Sequence, residues 1–95
     1  MGATNFILSV KAKSAQEAYK KAVTEATEEY GFDPYNGTIS TTNGFRMFTT
    51  SASDVREIYQ FCDDNLDRTE KWGQCGCIKN PIKQGEFIFF GWAAE

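Results

Sequence analysis

The softest ligands and strongest nucleophiles in the chain are three cysteines, Cys62, Cys75 and Cys77. Cys75 and Cys77 flank Gly76, and residues two apart on a strand share a face, so this pair would present both thiols together. A tetrahedral zinc site normally takes four Cys or His donors, and the chain has no histidine. Only Cys62 and carboxylates remain to complete a ligand set. Thiol redox motifs normally carry two residues between the cysteines, one more than here. The expectation is therefore three reduced, buried thiols acting as small apolar groups, with no metal and no other cofactor.

The missing histidine also removes the commonest general base and the physiological pH switch. Neither a Ser-His-Asp nor a Cys-His set can form. Carboxylates are plentiful, but carboxylate catalysis needs a shaped cleft that 95 residues rarely build. The chain reads as a non-enzyme.

A second candidate is the loop Gly31-Phe32-Asp33-Pro34-Tyr35-Asn36-Gly37-Thr38. Tyr35 offers an aromatic face, Asn36 and Thr38 offer hydrogen-bonding groups, and Gly37 lets backbone amides approach an anion. A nucleotide would suit such a pocket. No phosphate-binding or dinucleotide spacing is present. The competing reading is a tight connection packed by Phe32 and Tyr35.

The third candidate is charge. Thirteen acids against ten bases give a net charge of −3. Nucleic-acid binders usually carry a basic stripe, so no direct nucleic-acid contact is expected. A basic surface on another protein is the better match. No apolar run approaches the roughly 18 residues of a membrane span, and the N-terminus lacks a basic and apolar leader. With the odd cysteine count, this predicts a cytoplasmic protein. The length predicts one domain over residues 1–95.

The elements that must position these groups follow from periodicity. Asn5–Lys11 predicts a strand with Phe6, Leu8 and Val10 on one face and Ile7 on the other. Ser14 and Glu17 form a capping box opening a helix over 15–30. Its stripe is Ala15, Ala18, Tyr19, Ala22, Val23, Ala26 and Tyr30, with Gly31 as the C-terminal cap. Two β-rich runs, Thr38–Thr42 and Phe45–Thr49, flank Asn43-Gly44 and predict a type I′ hairpin. Ser53 is the expected cap of a second helix, with Asp54 in its first turn. Val55, Ile58, Tyr59, Cys62 and Leu66 make its stripe, and it should end between Asp64 and Leu66. Trp72–Ile78 and Glu86–Ala93 predict a terminal hairpin. The order β-α-β-β-α-β-β suggests an α+β, ferredoxin-like sandwich: an antiparallel sheet with two helices on one face.

That topology sends both helices the same way, so their C-termini meet at one end. Glu25, Glu28, Glu29 and Asp33 arrive there from the first helix; Asp63, Asp64, Asp67 and Glu70 arrive from the second. Arg68 and Lys71 offset them in part. Lys11, Lys13, Lys20 and Lys21 fall at the opposite pole. The acids make either a solvated surface or a docking surface for a basic groove, such as that of a nucleic-acid-binding host protein. On the last strand, Phe87, Phe89 and Gly91 face one way and Ile88, Phe90 and Trp92 the other. With both helices on one face, the second set would lie open beside Ile7 and Phe48. Either something covers it or it is an interface, a homodimer included, with Phe90 and Trp92 as anchors.

The segment from Tyr30 to Phe45, Y-G-F-D-P-Y-N-G-T-I-S-T-T-N-G-F, resembles one found in small proteins encoded by bacteriophages and mobile elements. Some phage proteins of this size and acidity inhibit bacterial defence, anti-CRISPR proteins among them. Such proteins often act by occupying a nucleic-acid channel or by binding a signalling nucleotide. The resemblance implies that setting, so the leading expectation is a defence inhibitor that binds a host protein; a nucleotide-sequestering binder and a structural homo-oligomer are the alternatives.

Overall fold

The computed structural model describes residues 3–30, 38–69 and 73–94. Strand β1 spans Ala3–Lys11, helix α1 Ala15–Tyr30, strand β2 Phe45–Phe48, helix α2 Val55–Asp64, strand β3 Cys75–Lys79 and strand β4 Glu86–Ala94. Short 3-10 turns occupy Ile39–Thr41 and Leu66–Arg68. The fold is α+β; the described residues form one four-stranded mixed sheet in the order β1-β4-β3-β2 and two helices. β4 pairs antiparallel with β1 on one side and with β3 on the other, while β2 and β3 run parallel.

Helix α1 starts and packs as its sequence predicts. Ser14 Oγ accepts a hydrogen bond from the Glu17 amide at 3.2 Å, one of the two bonds of the expected capping box. Ala18 and Ala22 are buried against the sheet, with Ala15, Tyr19, Val23 and Ala26 beside them. Tyr19 ties the helix to the approach of β2. Its hydroxyl lies 2.7 Å from Thr42 Oγ1 and accepts from the Gly44 amide at 2.9 Å. Its ring sits 5.3 Å from that of Phe45 and 5.8 Å from that of Phe89. The proposed Gly31 cap lies outside the described residues.

The Asn43-Gly44 hairpin does not form. A type I′ turn needs positive φ at both central residues, and among the described residues only glycines have it, Gly44 at 86°. Residues 39–41 coil into a 3-10 turn instead of a strand. Thr41 and Thr42 turn their hydroxyls back onto the carbonyls of Thr38 and Ile39, at 2.9 and 2.6 Å. Such local bonds compete with strand pairing. Gly44 joins the start of β3, its carbonyl accepting from the Cys75 amide at 3.1 Å. Four strands therefore form among the described residues where five were expected.

The helices also lie differently from the expected sandwich. Phe87 and Phe89 share a core with Ala18 and Ala22 of α1, whereas Ile88 and Phe90 share a second core with Ile58 and Cys62 of α2. Successive strand residues point to opposite faces, so the two helices sit on opposite faces of the sheet. This explains why β4 is apolar on both sides: each side has a helix to meet. The parallel β2–β3 pair and this two-sided cover replace the expected all-antiparallel sheet with one open face. The strand order is not clearly that of a ferredoxin-like sandwich.

Two local details fix the α2 side. The N-cap is Asp54, one residue later than expected; its carboxylate accepts from the Glu57 amide at 2.9 Å while Ser53 Oγ donates to Glu57 Oε1 at 2.7 Å. Gly76 leaves room for the Phe90 ring. A Cβ there would lie 2.2 Å from Phe90 Cζ.

Candidate functional site

The sheet sets the helix directions. Two antiparallel pairings followed by one parallel pairing make β1, β3 and β2 run the same way. Helix α1 leaves the far end of β1 and must carry the chain back toward the start of β2. Helix α2 also runs back: Val55 lies beside Ser9 and Asn80, whereas Asp63 and Leu66 lie beside Asn5 and Phe90. Both helices thus end at the end of the sheet where β1 begins, but on opposite faces. The expected single patch is divided by the thickness of the sheet.

Glu25, Glu28 and Glu29 are exposed on α1, and Asp63, Asp64 and Asp67 on α2 and the turn after it. Neither helix has a basic residue in its last turn. Asp64 accepts from Gln60 Nε2 at 2.8 Å. Among the described residues none of the six acids forms an ion pair. Asp33 lies outside the described residues, as do Glu70 and Lys71. Lys11 and Lys13 are exposed at the other end, joined there by Lys79 and Lys83.

Of the loop candidates, Tyr35, Asn36 and Gly37 lie outside the described residues. The Thr38 carbonyl accepts from the Thr41 amide and hydroxyl. Phe90 is not a surface anchor. It is 1% exposed, sealed beneath α2 against Phe48 and Phe61. Trp92, on the same face, is half-buried.

The thiols are buried and divided between the two cores: Cys75 and Cys77 lie with α1, Cys62 with α2. The sheet lies between them, so the three cannot converge on one ion. Burial pushes each thiol up to about 12, a state unsuited to nucleophilic attack near neutral pH. At Cys75 hydrogen bonding with Thr42 works against that rise, and burial outweighs it.

Sequence reasoning missed a groove of about 540 Å³ between β1 and α2. Asn5 and Ile7 form one wall and Cys62 and Phe90 lie at its base. Arg56, Tyr59, Gln60 and Asp63 form the other wall, spaced so that they share a helix face. Past Tyr59 a smaller hollow of about 230 Å³ continues to Ser9, Val55 and Ile82. Tyr59 is 53% exposed and Ile7 39%. The signal was present in β1, where Asn5 and Ser9 alternate with Phe6, Leu8 and Val10. With both helices on one face, as the sequence suggests, that alternation has no groove to line.

The chain matches no family model, and no curated protein or solved structure is significantly similar to it.

Proposed function

We propose that the chain is a non-enzymatic binding protein that acts by protein–protein contact through its acidic end. The observation that carries this reading is the exposure of Glu25, Glu28 and Glu29 at the end of α1 and of Asp63, Asp64 and Asp67 at the end of α2, without ion-pair partners among the described residues. Acids at a helix C-terminus oppose the macrodipole, at roughly 0.3–1 kcal/mol each when exposed. Stability alone favours lysine or arginine there. A partner with a basic groove supplies the missing positive charge, mainly as association rate and specificity. Because the acids flank the sheet on two faces, the end of the molecule suits insertion between two basic walls. The channel of a nucleic-acid-binding host protein has that form. The resemblance of residues 30–45 to phage-encoded segments supports a bacterial defence complex as the target, with this chain as an anti-CRISPR-like inhibitor.

The test is capture of partners from a bacterial lysate by the tagged chain, identified by mass spectrometry. A basic protein retained by the wild type, released by high salt and lost with Glu28→Lys plus Asp64→Lys supports the reading. Retention that ignores both salt and charge reversal overturns it.

A further inference from the structure

Among the described residues the sheet has two edges, β1 and β2, and they are built differently. β2 is four residues long and carries Arg46, whose guanidinium lies 5.4 Å from the Phe48 ring centroid. A short, charged edge resists pairing with another strand. β1 is nine residues long, and Thr4 through Val10 contain no charge and no proline. It is the kind of edge that recruits a strand.

Its hydrogen-bonding pattern shows which groups are free to do so. The β1–β4 register is unbroken from Ala3↔Ala94 to Lys11↔Glu86 and extends to the bond from the Ala12 amide to the Gly85 carbonyl at 3.0 Å. In an antiparallel pair, alternate residues turn both peptide groups toward the neighbour. Even-numbered residues therefore bond to β4, and Asn5, Ile7 and Ser9 aim theirs outward. Lys11 agrees with this pattern: its carbonyl accepts from Lys21 Nζ at 3.5 Å. The side chains of Asn5, Ile7 and Ser9 are exposed on the α2 face.

We infer that β1 pairs antiparallel with β1 of a second copy about a two-fold axis at Ile7, making a continuous eight-stranded sheet. The register is self-complementary. Ile7 meets Ile7 of the second copy, and Asn5 meets Ser9. On the α1 face Phe6 meets Leu8, and Thr4 meets Val10. Apolar thus faces apolar and polar faces polar at the centre, the cross-strand matching that stabilises sheets. Lys11 falls opposite Ala3, so no like charges oppose along the strand. The same axis brings the two α2 helices antiparallel across the merged grooves. Arg56, near the start of one helix, then faces the end of the other, which carries Asp63 and no basic residue in its last turn. Two-fold contacts of this isologous kind are the commonest in soluble oligomers. This inference does not depend on the acidic end.

Sedimentation velocity over a range of concentrations should show a species of twice 10.7 kDa for the wild type. Ile7→Lys sets two ammonium groups against each other at the axis and should weaken the dimer at least about 100-fold, with the circular dichroism of the monomer unchanged. Register is tested separately with single cysteines. Under mild oxidation Ile7→Cys should form a reducible dimer, because position 7 is its own partner. Ser9→Cys, opposite Asn5, should not. The inference fails if the wild type stays monomeric at high concentration, including the case in which it instead binds an extended peptide. It also fails if the dimer survives Ile7→Lys, or if Ser9→Cys cross-links as readily as Ile7→Cys.

Discussion

The two faces of the sheet are covered by helices of different make. α1 has 16 residues, and the stripe it lays on the sheet is largely alanine, so it lies close. α2 has 10 residues and sets Ile58, Phe61 and Cys62 over β3 and β4, while Tyr59 and Val55 stay more than half exposed. One face is closed; the other leaves β1 bare beside a groove. Helix length and side-chain size decide how much sheet a helix can seal. Where cover stops, the strand turns polar, as Asn5 and Ser9 show.

The largest effects should come from the two phenylalanines that mark the faces. Phe89 and Phe90 are each at most 1% exposed. Replacing either with alanine should cost about 3–5 kcal/mol in urea unfolding, since each leaves a large cavity. Gly76→Ala should cost about 1–3 kcal/mol by overpacking against Phe90. Adding Phe90→Leu should relieve part of that cost, and adding Phe89→Leu should not. Equal relief from both would undo the assignment of the two residues to opposite faces.

The same contrast holds for the helices. Ala18 is fully buried, so Ala18→Leu must push α1 off the sheet, at about 1–3 kcal/mol. Val55 is 58% exposed, and Val55→Leu should stay within about 0.5 kcal/mol. A large cost at Val55 would mean that α2 seals its face as α1 does.

Much of this is legible in the sequence, and what is not shares a cause. The α1 boundaries and stripe, the alternation of β4 and the end of α2 all follow from local periodicity and capping. Asn43-Gly44 misled because the dipeptide signals a turn but not which strand the chain joins next. Here Gly44 bonds to Cys75, some thirty residues on. The two-sided character of β4 is visible in the sequence too, but there it implies a surface awaiting a partner. The partner was α2. Layer assignment depends on contacts between distant segments, which local patterns do not encode. The groove went unseen for the same reason.

The thiols offer a pH test that touches both faces at once. Burial raises Cys62, Cys75 and Cys77 from 9.0 to about 12. A thiol in the unfolded chain ionises near the lower value, whereas the folded chain keeps it protonated until the higher one. The stability they contribute is therefore complete below about pH 9 and is lost as pH rises toward 12. The melting temperature should fall across that window, and Cys62→Ala or Cys77→Ala should each flatten the fall. A profile unchanged by either substitution would place the thiols in solvent. In the native protein near pH 8, a thiol reagent should react only as fast as the chain unfolds.

The smallest effects should appear at the two helix caps, and they again separate the faces. Asp54 accepts from the Glu57 amide at 2.9 Å, and a second bond from Ser53 to the Glu57 carboxylate steadies the same turn. Ser14 makes the equivalent bond to Glu17 at 3.2 Å. α2 is short and seats fewer side chains, so its first turn depends more on the cap. Asp54→Ala should cost about 1 kcal/mol and Ser14→Ala about 0.5 kcal/mol in chemical unfolding. Asp54→Asn keeps the acceptor but removes the charge that favours a helix N-terminus, and should cost only a few tenths of a kcal/mol. If Ser14→Ala proves the costlier, α1 depends on its cap rather than on its alanine seam, and the contrast between a closed face and an open one loses its structural basis.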